Sequence, residues 1–474
     1  MTFQVYSTLT KNKQDFEPLQ PGKVLMYNCG PTVYGRAHIG NLRSFLFADL
    51  LRRWLEHEGY DVRQVMNITD VGHLTDDADD GEDKLDVAAR KEGRDPWQIS
   101  KQYADIFLED LKRLNCKPAA VNPRATDHIP EMLEIIDKLV EDGYAYAAGS
   151  GENVYFEVSK FERYGRLSGN RVEDLDAGAR IAINKEKRAP ADFALWKSDP
   201  SHLMKWESHY GPNGFPGWHI ECSAMARKHL GDCIDIHTGG EDNVFPHHEC
   251  EIAQSEAFSG ESFATYWMHA KFLQVDGGKM SKSLGNIYSV DDVVERGFEE
   301  RVLRFTLLRG HYRQPLNFTW EIVKESARVL EKLDDLVVRL RRLAAGVEGP
   351  EDSSLGADLV QACAEEFRAG MNDDLNTPRG MAAIHNLRDH VVQGRVGAEA
   401  APAGLALMEE FEGVLGVLRM EEEQLDQAVE TLIEERNRAR EGKDWARSDE
   451  IRDELLAQGI LLEDTGGTTV WRRK

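Results

Sequence analysis

The sequence predicts an α/β protein whose first portion is a parallel nucleotide-binding sheet. Three stretches carry that expectation. Lys23-Val24-Leu25-Met26-Tyr27-Asn28 is a short apolar run ending in the turn chemistry of Cys29-Gly30-Pro31-Thr32. From Asn41 the residues Leu42, Phe45, Leu46, Leu50 and Trp54 recur at helical spacing, and the pattern closes at Gly59. Residues 62–68 then read as a second strand. Strand, loop, helix and strand in that order form a parallel βαβ unit, the building block of nucleotide folds.

A chain of 474 residues exceeds what one hydrophobic core organises, so two to four domains are expected. Hydrophobic content of 41% with 30% charged residues fits a soluble globular protein. No apolar run approaches membrane-spanning length, and Met1-Thr2-Phe3-Gln4-Val5 has no basic stretch leading into an apolar core. A cytoplasmic protein with no membrane partner is therefore expected. Six cysteines scattered over this length argue for free or metal-bound thiols rather than a disulfide framework. The formal net charge of −25 opposes nucleic-acid binding through global charge, which gains affinity by releasing counterions. A local basic track on an acidic body can still hold a polyanion, with modest affinity and strong salt dependence.

His38-Ile39-Gly40-Asn41 falls where the first loop enters its helix. Backbone N–H groups and the positive end of the helix dipole gather there, which suits phosphate; a plain helix cap suits a histidine there equally. Asp76, Asp77, Asp79, Asp80, Glu82 and Asp83 match no calcium loop and read as a solvated acidic loop. Helices are expected around 97–114 and 131–143. Residues 149–209 carry short strand-like runs, many charges and little helical period, and read as an insertion between two halves of the first domain.

The second half is richest in chemistry. In Pro216-Gly217-Trp218-His219-Ile220-Glu221-Cys222-Ser223, Trp218 and Cys222 share a face if a helix begins there. Ile234-Asp235-Ile236-His237 reads as a strand, followed by Thr238-Gly239-Gly240-Glu241-Asp242. His247 and Glu251 stand four apart, the spacing that aims two ligands at one ion from a helix face and also that of an exposed helix pair. Cys29 and Cys222 lie at an expected strand end and helix start, which converge at the carboxyl edge of a parallel sheet. His248, Cys233 and Cys250 compete as ligands, the two cysteines less well placed. Lys279-Met280-Ser281-Lys282-Ser283 puts two lysines in a loop flanked by Gly277, Gly278 and Gly285. Such a compliant loop can bring two ammonium groups to a polyphosphate, or be an ordinary basic turn.

Beyond it, helices are expected over 291–308 and 323–343, a linker over 346–356, and further helices to about 418 that form a bundle. From about 421 a final unit alternates Glu and Asp with Arg436, Arg438, Arg440, Lys443 and Arg447, as a solvated helix face would.

These stretches together resemble the cysteinyl-tRNA synthetase family of class I aminoacyl-tRNA synthetases. The likeness rests on Cys29-Gly30-Pro31-Thr32-Val33-Tyr34, His38-Ile39-Gly40-Asn41, Asn67-Ile68-Thr69-Asp70, Gly217-Trp218-His219-Ile220-Glu221-Cys222-Ser223-Ala224-Met225, Phe245-Pro246-His247-His248-Glu249 and residues 279–286. It covers nearly the whole chain. The Cys-Gly-Pro-Thr and Gly-Trp-His-Ile-Glu-Cys stretches point to the family, whereas the two phosphate loops mark only the class.

The resemblance implies a Rossmann-type parallel-sheet catalytic domain with an insertion, followed by a helical bundle and a small C-terminal RNA-binding domain. The implied division is 1–125 and 211–270 for the two catalytic halves, with 126–210 as the connective insertion. Residues 271–320 would form a stem-contact region with the lysine loop, 321–420 the bundle, and 421–474 an anticodon-binding domain. It implies ATP-dependent ligation of L-cysteine to tRNA(Cys) through a cysteinyl-adenylate, by a monomer. One Zn2+ per chain would be held by Cys29, Cys222, His247 and Glu251, with the substrate thiolate as an added ligand and Mg2+ accompanying ATP. Ordinary pocket contacts discriminate near-isosteres such as serine poorly, and a thiophilic ion supplies the missing selectivity. His38, Asn41, Lys279 and Lys282 would be catalytic. Gly40, Gly239, Gly240 and Asp242 would border ATP with His38, Asn41 and Lys282, and Thr69 and Trp218 would line the amino-acid pocket. Trp445 or Trp471 would stack on anticodon bases, or sit in a core.

Two positions depart from the pattern. The first signature ordinarily ends in a second histidine, and here it is Asn41, which can donate a hydrogen bond but carries no positive charge. His73 stands where acidic residues are expected. A ligase joining cysteine to an amino sugar, as in mycothiol synthesis, shares the zinc and both loops but lacks the C-terminal unit. A catalytically silent RNA- or zinc-binding relative is the remaining alternative.

Overall fold

The computed structural model describes residues 2–72, 74, 81–171, 186–280, 285–421, 427–465 and 468–473. They form two compact units, Met1–Leu418 and Arg419–Lys474. The larger is built on a four-stranded sheet in the order Ala264–Ala270, Ile234–Gly240, Lys23–Asn28 and Asp61–Met66. Every pairing in it is parallel. Helices cover such sheets on both faces, and Val24, Met26 and Tyr27 of the inner strand are accordingly buried. The strand Ile234–Gly240 runs three residues past the expected His237, so Gly239 and Gly240 end it.

The helix Ile39–His57 crosses between Lys23–Asn28 and Asp61–Met66, as the βαβ reading requires. Its expected apolar stripe is buried, with Arg43, Asp49 and Arg53 within its arc, and so are Ala48, Leu51 and Leu55 on the other faces. The helix is enclosed because it packs on the sheet and also on the helices Glu300–Leu308 and Ala401–Leu415. Arg43 donates to the carbonyls of Phe272, His311 and Gln314, while Asp49 and Arg53 pair. Asp49 Oδ2 accepts from Arg53 Nε at 2.8 Å and from Arg304 Nη2 at 2.6 Å.

The insertion holds a five-stranded antiparallel sheet ordered Ala145–Ala148, Asn153–Phe156, Phe193–Ser198, Gly211–Pro216 and Trp206–Ser208. It differs from the expected 126–210 at both ends. The helix Ile129–Glu141 packs instead on Trp218–Leu230 and Glu249–Ser259. Gly211–Pro216, with two glycines and two prolines, is a strand paired with Phe193–Ser198. The helix expected over 291–308 is two, Val290–Glu295 and Glu300–Leu308. Gly297 between them takes φ 84°, a left-handed conformation that ends a helix. The helix Trp320–Ala344 buries Val323, Leu330, Leu333, Leu336, Val337, Leu340 and Leu343 along one stripe. It forms a bundle with Ala357–Asn372, Thr377–Val392 and Ala401–Leu415.

The smaller unit has two helices, Gln427–Glu441 and Trp445–Ala457, and the hairpin Ile460–Thr465/Thr468–Arg473. Val429, Ile433, Ile451, Leu455 and Ile460 form its core. Arg436, expected on a solvated face, is buried, and its Nη1 donates to Thr469 Oγ1 at 3.1 Å. Trp445 is exposed. Of the expected acidic loop, 76, 77, 79 and 80 lie outside the described residues. Asp83 is not solvated: it is buried and caps the helix Lys84–Glu92 through Leu85 and Asp86 N–H groups.

Candidate active site

Cys29 directly follows the strand Lys23–Asn28, and its N–H donates to Thr238 O of the neighbouring strand at 3.2 Å. Gly30 makes this position possible, since a Cβ there would come within 1.6 Å of Asn67 O. Gly30 N–H is held by Asn67 Oδ1 at 2.7 Å. Cys222 lies in the first turns of the helix Trp218–Leu230, and Glu251 opens the helix Glu249–Ser259. His247 sits in the tight turn Val244–His248 between strand and helix.

The fold brings these four together. Cys29 Sγ lies 3.9 Å from Cys222 Sγ and 3.5 Å from Glu251 Oε1. His247 Nε2 lies 3.5 Å from Cys222 Sγ and 3.0 Å from Glu251 Oε1. All four ligand atoms fall within 4.8 Å of one another. A second foursome, Cys29, His237, His248 and Glu251, meets the same measure. Cys29 Sγ is 3.2 Å from His248 Nε2, and His237 Nε2 is 2.9 Å from Glu251 Oε2. Cys233 and Cys250 belong to neither group: Cys233 Sγ meets Glu261 Oε2 at 3.0 Å, and Cys250 Sγ meets the Tyr164 hydroxyl at 3.4 Å.

Burial and charge set the electrostatics. Burial, the hydrogen bond to Cys222 and the nearby Cys222 and Glu251 charges raise the Cys29 thiol well above its ordinary range. Burial also opposes ionisation of Cys222, but hydrogen bonds from Cys29 and His247 and the His247 charge bring it down to about 6. Burial would raise Glu251 and lower His247. The pair reverses both: His237 and His247 hold Glu251 at about 2, while Glu251 and Cys222 lift His247 to about 10. Two sulfurs and a carboxylate thus crowd one buried point with a single imidazolium to balance them. That donor set fits a tetrahedral thiophilic cation, which binds thiolate, imidazole and carboxylate.

More imidazoles surround the four. His219 Nδ1 lies 2.9 Å from His247 Nδ1, and Trp218 stacks on the His247 ring at 4.2 Å between centroids. His248 Nδ1 lies 2.8 Å from His269 Nε2, and His269 Nδ1 lies 2.7 Å from Thr8 Oγ1. Burial and neighbouring imidazoles keep His248 neutral, and burial with His237 lowers His269 to about 3. Sequence reasoning named none of His219, His237 and His269 as site residues. The available signal was histidine at apolar strand positions, in Ile234–Gly240 and Ala264–Ala270, where an unpaired polar ring is costly.

His38 is the N-cap of the helix Ile39–His57. Its Nδ1 accepts from Asn41 N–H at 3.2 Å, and Asn41 Oδ1 accepts from His38 N–H at 3.2 Å, a reciprocal capping box. Ile39 N–H donates to Tyr288 O at 2.9 Å. Arg36 forks onto Asp110 at 3.0 and 2.7 Å and also pairs with Asp291, which accepts from Arg113 Nη1 at 2.7 Å. The first signature is thereby tied to the segment that follows the lysine loop. Lys279 pairs through its backbone with Gln274. Lys282 and His73 lie outside the described residues. Gly239 and Gly240 end their strand, and Asp242 lies in the following turn Glu241–Asn243. Thr69 is buried, its Oγ1 accepting from Asn67 Nδ2 at 3.0 Å, and Trp218 is half-buried beside His247.

A parallel sheet with these loops at its carboxyl edge is a nucleotide-binding framework, and the match below makes it that of a class I aminoacyl-tRNA synthetase. The family model for the tRNA synthetases class I (C) catalytic domain matches residues 15–328. The fold is that of the Mycobacterium tuberculosis methionyl-tRNA synthetase bound by methionyl-adenylate, at TM-score 0.63 and 16% identity, covering 83% of this chain and 92% of that one. Residues 366–419 match the DALR domain, and 422–472 match the cysteinyl-tRNA ligase anticodon binding domain. Relatives named cysteine--tRNA ligase align over the full chain: Chlorobaculum tepidum at 42% identity with 99% of that protein covered, and Symbiobacterium thermophilum at 45% with 100% covered. The chain belongs to the cysteine--tRNA ligase family, and it is an enzyme that charges tRNA with cysteine.

Proposed function

We propose that the chain charges tRNA(Cys) in two steps on one site. The cysteine carboxylate attacks the α-phosphorus of ATP, giving cysteinyl-adenylate and pyrophosphate, and the terminal ribose of the tRNA then takes the cysteinyl group. The observation that carries the amino-acid assignment is the buried convergence of Cys29, Cys222, His247 and Glu251 within 4.8 Å. Both foursomes share Cys29 and Glu251, so the site takes one ion. The set with two sulfurs is favoured, because His237 Nε2 already faces Glu251 Oε2 and serves to orient that carboxylate. Zinc, when bound, supplies a thiophilic centre that a cysteine thiol satisfies and a serine hydroxyl does not.

The other residues position and neutralise. His38 meets the phosphates from the helix start, while Lys279 and Lys282 offset charge on the leaving pyrophosphate and Mg2+ accompanies ATP. Gly40, Gly239, Gly240 and Asp242 border the nucleotide. Trp218 fixes the His247 ring by stacking and, with Thr69, lines the cysteine pocket. Little covalent chemistry falls to the protein in the first step, so positioning dominates. We assign 1–144 and 217–270 to catalysis, 145–216 to the insertion, 271–320 to the acceptor stem, 321–420 to the bundle and 421–474 to the anticodon, in a cytoplasmic monomer. Exposed Trp445 supports base stacking by the last unit. The match over 422–472 favours tRNA over an amino sugar as the acceptor.

Cysteine-dependent ATP–pyrophosphate exchange and charging of tRNA(Cys), each with and without a zinc chelator, test this reading. Exchange should require cysteine and collapse on chelation. Exchange that runs equally with serine, or that survives complete zinc removal, overturns the metal's role.

A further inference from the structure

We propose that Asp83, Asp86 and His202 form a second cation site, separate from the thiol cluster, that takes a divalent ion of the manganese type. One ligand atom from each lies within 4.8 Å of the others, and all three side chains are at most 5% exposed. The carboxylates are pinned by backbone donors. Asp83 Oδ1 accepts from Leu85 N–H at 2.7 Å and Oδ2 from Gly72 N–H at 2.8 Å, while Asp86 Oδ2 accepts from Leu203 N–H at 3.0 Å. Asp86 Oδ1 is buried with no hydrogen-bond partner among the described residues.

His202 is held as a metal ligand is held. Its Nδ1 lies 2.5 Å from Met204 O and 3.2 Å from Met204 N, which anchors the ring through Nδ1 and leaves Nε2 toward the carboxylates. Its ring stacks on Phe215 at 4.0 Å, with planes 11° apart. Among the described residues Nε2 has no hydrogen-bond partner, and it stands 3.4 Å from Asp83 Oδ2. A charge-assisted hydrogen bond closes to about 2.7–2.9 Å. Ligands about 2.1 Å from a shared ion stand about 3.0–3.4 Å apart, which the His202 Nε2 to Asp83 Oδ2 separation matches. Two carboxylate ligands and one imidazole, without sulfur, suit a harder ion than the thiol cluster does. The ion would fasten the insertion, through His202 and Leu203, to the segment that follows Thr69.

The test titrates Mn2+ alone into full-length, zinc-loaded enzyme without ATP and follows the paramagnetic signal of free Mn2+. Wild type should take up about one equivalent, and Asp86→Asn and His202→Gln should each weaken that uptake at least about tenfold. Cys222→Ala should leave it unchanged. Mn2+ should raise the wild-type melting temperature but not that of His202→Gln, which decides the matter should Asp86→Asn not fold. No uptake by wild type, or equal uptake by wild type and both variants as surface binding gives, overturns the proposal.

Discussion

The Met280 methyl rests against Gly40, so closely that a Cβ built on Gly40 would come within 2.2 Å of Met280 Cε. Gly40 and Met280, 240 residues apart in sequence, therefore bring the first signature and the lysine loop together at one methyl group and one missing side chain. The Ile39 N–H to Tyr288 O bond fixes the same approach through the backbone. Gly40→Ala should push Met280, and the lysines on either side of it, off their line to the phosphates. Displacements of about 1 Å cost up to about 100-fold in rate, so exchange activity should fall by about 10–100-fold. The melting temperature should move little, because Gly40 is not in a core. Met280→Ala added to Gly40→Ala should recover part of the rate, and a double variant no better than Gly40→Ala would refute the contact.

Asn41 is already half committed. Its oxygen accepts from His38 N–H, so only its amide nitrogen can donate to a substrate. Asn41→Ala should cost about 1 kcal/mol of stability through the lost cap. It should also lower adenylate formation, measured by pyrophosphate exchange. Asn41→Asp keeps the cap acceptor but sets a negative charge where phosphate is expected, and it should be the slower enzyme. An unchanged rate in Asn41→Ala would leave the residue a capping role alone.

The two variants also mark how much was legible beforehand. The βαβ unit and its helix start are readable because each rests on local signals, apolar runs and turn residues, whereas spacing alone leaves His248, Cys233 and Cys250 competing for the thiol cluster and only the family resemblance singles out Cys29, Cys222, His247 and Glu251. What the sequence hid depends on neighbours distant in the chain. Arg43, Asp49 and Arg53 interrupt the apolar stripe of their helix, and their partners, Arg304 for Asp49 and carbonyls beyond residue 270 for Arg43, are distant in the chain. Asp83 looks solvated within an acidic run, yet it caps a helix and turns inward. His219, His237 and His269 carry no spacing relation to His247, because only the sheet and the turn Val244–His248 bring them together. Gly211–Pro216 defeats strand rules outright, its pairing being set by Phe193–Ser198 rather than by its own residues.

The buried Asp49 charge predicts an acid limit to stability. Burial alone would raise its carboxyl, but Arg304, Arg53 and the Lys117 N–H outweigh that and hold it below its ordinary value. The unfolded chain therefore binds the proton more readily. The contribution is fully present above about pH 4 and is lost as pH falls through the lower folded value. Denaturant midpoints measured from pH 7 down to pH 3 should show wild type losing stability in that window. Asp49→Ala should lose about 3–5 kcal/mol at pH 7 by leaving Arg304 unpaired, and should show a flatter acid limb. An acid limb of equal slope in the variant would place the effect elsewhere.

The thiol cluster makes a sharper claim, since it ties metal content to selectivity rather than to rate alone. Glu251 bridges it: Oε1 faces Cys29 and His247, and Oε2 faces His237. Glu251→Gln keeps the shape but removes the buried negative charge that offsets a dication, and an amide nitrogen facing His237 or His247 makes a poor ligand. Zinc content, read by metal analysis after dialysis against a mild chelator, should fall well below the wild-type level. Loss of a ligand or its partner typically weakens metal binding by about 10–100-fold. His237→Ala leaves all four ligands and frees only Oε2, so it should retain more zinc than Glu251→Gln while losing affinity measurably. In both, the preference for cysteine over serine in pyrophosphate exchange should shrink in step with zinc occupancy, because an apolar pocket alone discriminates such near-isosteres by only about 100-fold. If selectivity stays at the wild-type level in protein stripped of zinc, Trp218 and Thr69 must supply it instead, and the cluster's role reduces to holding the strand end and the two helices together.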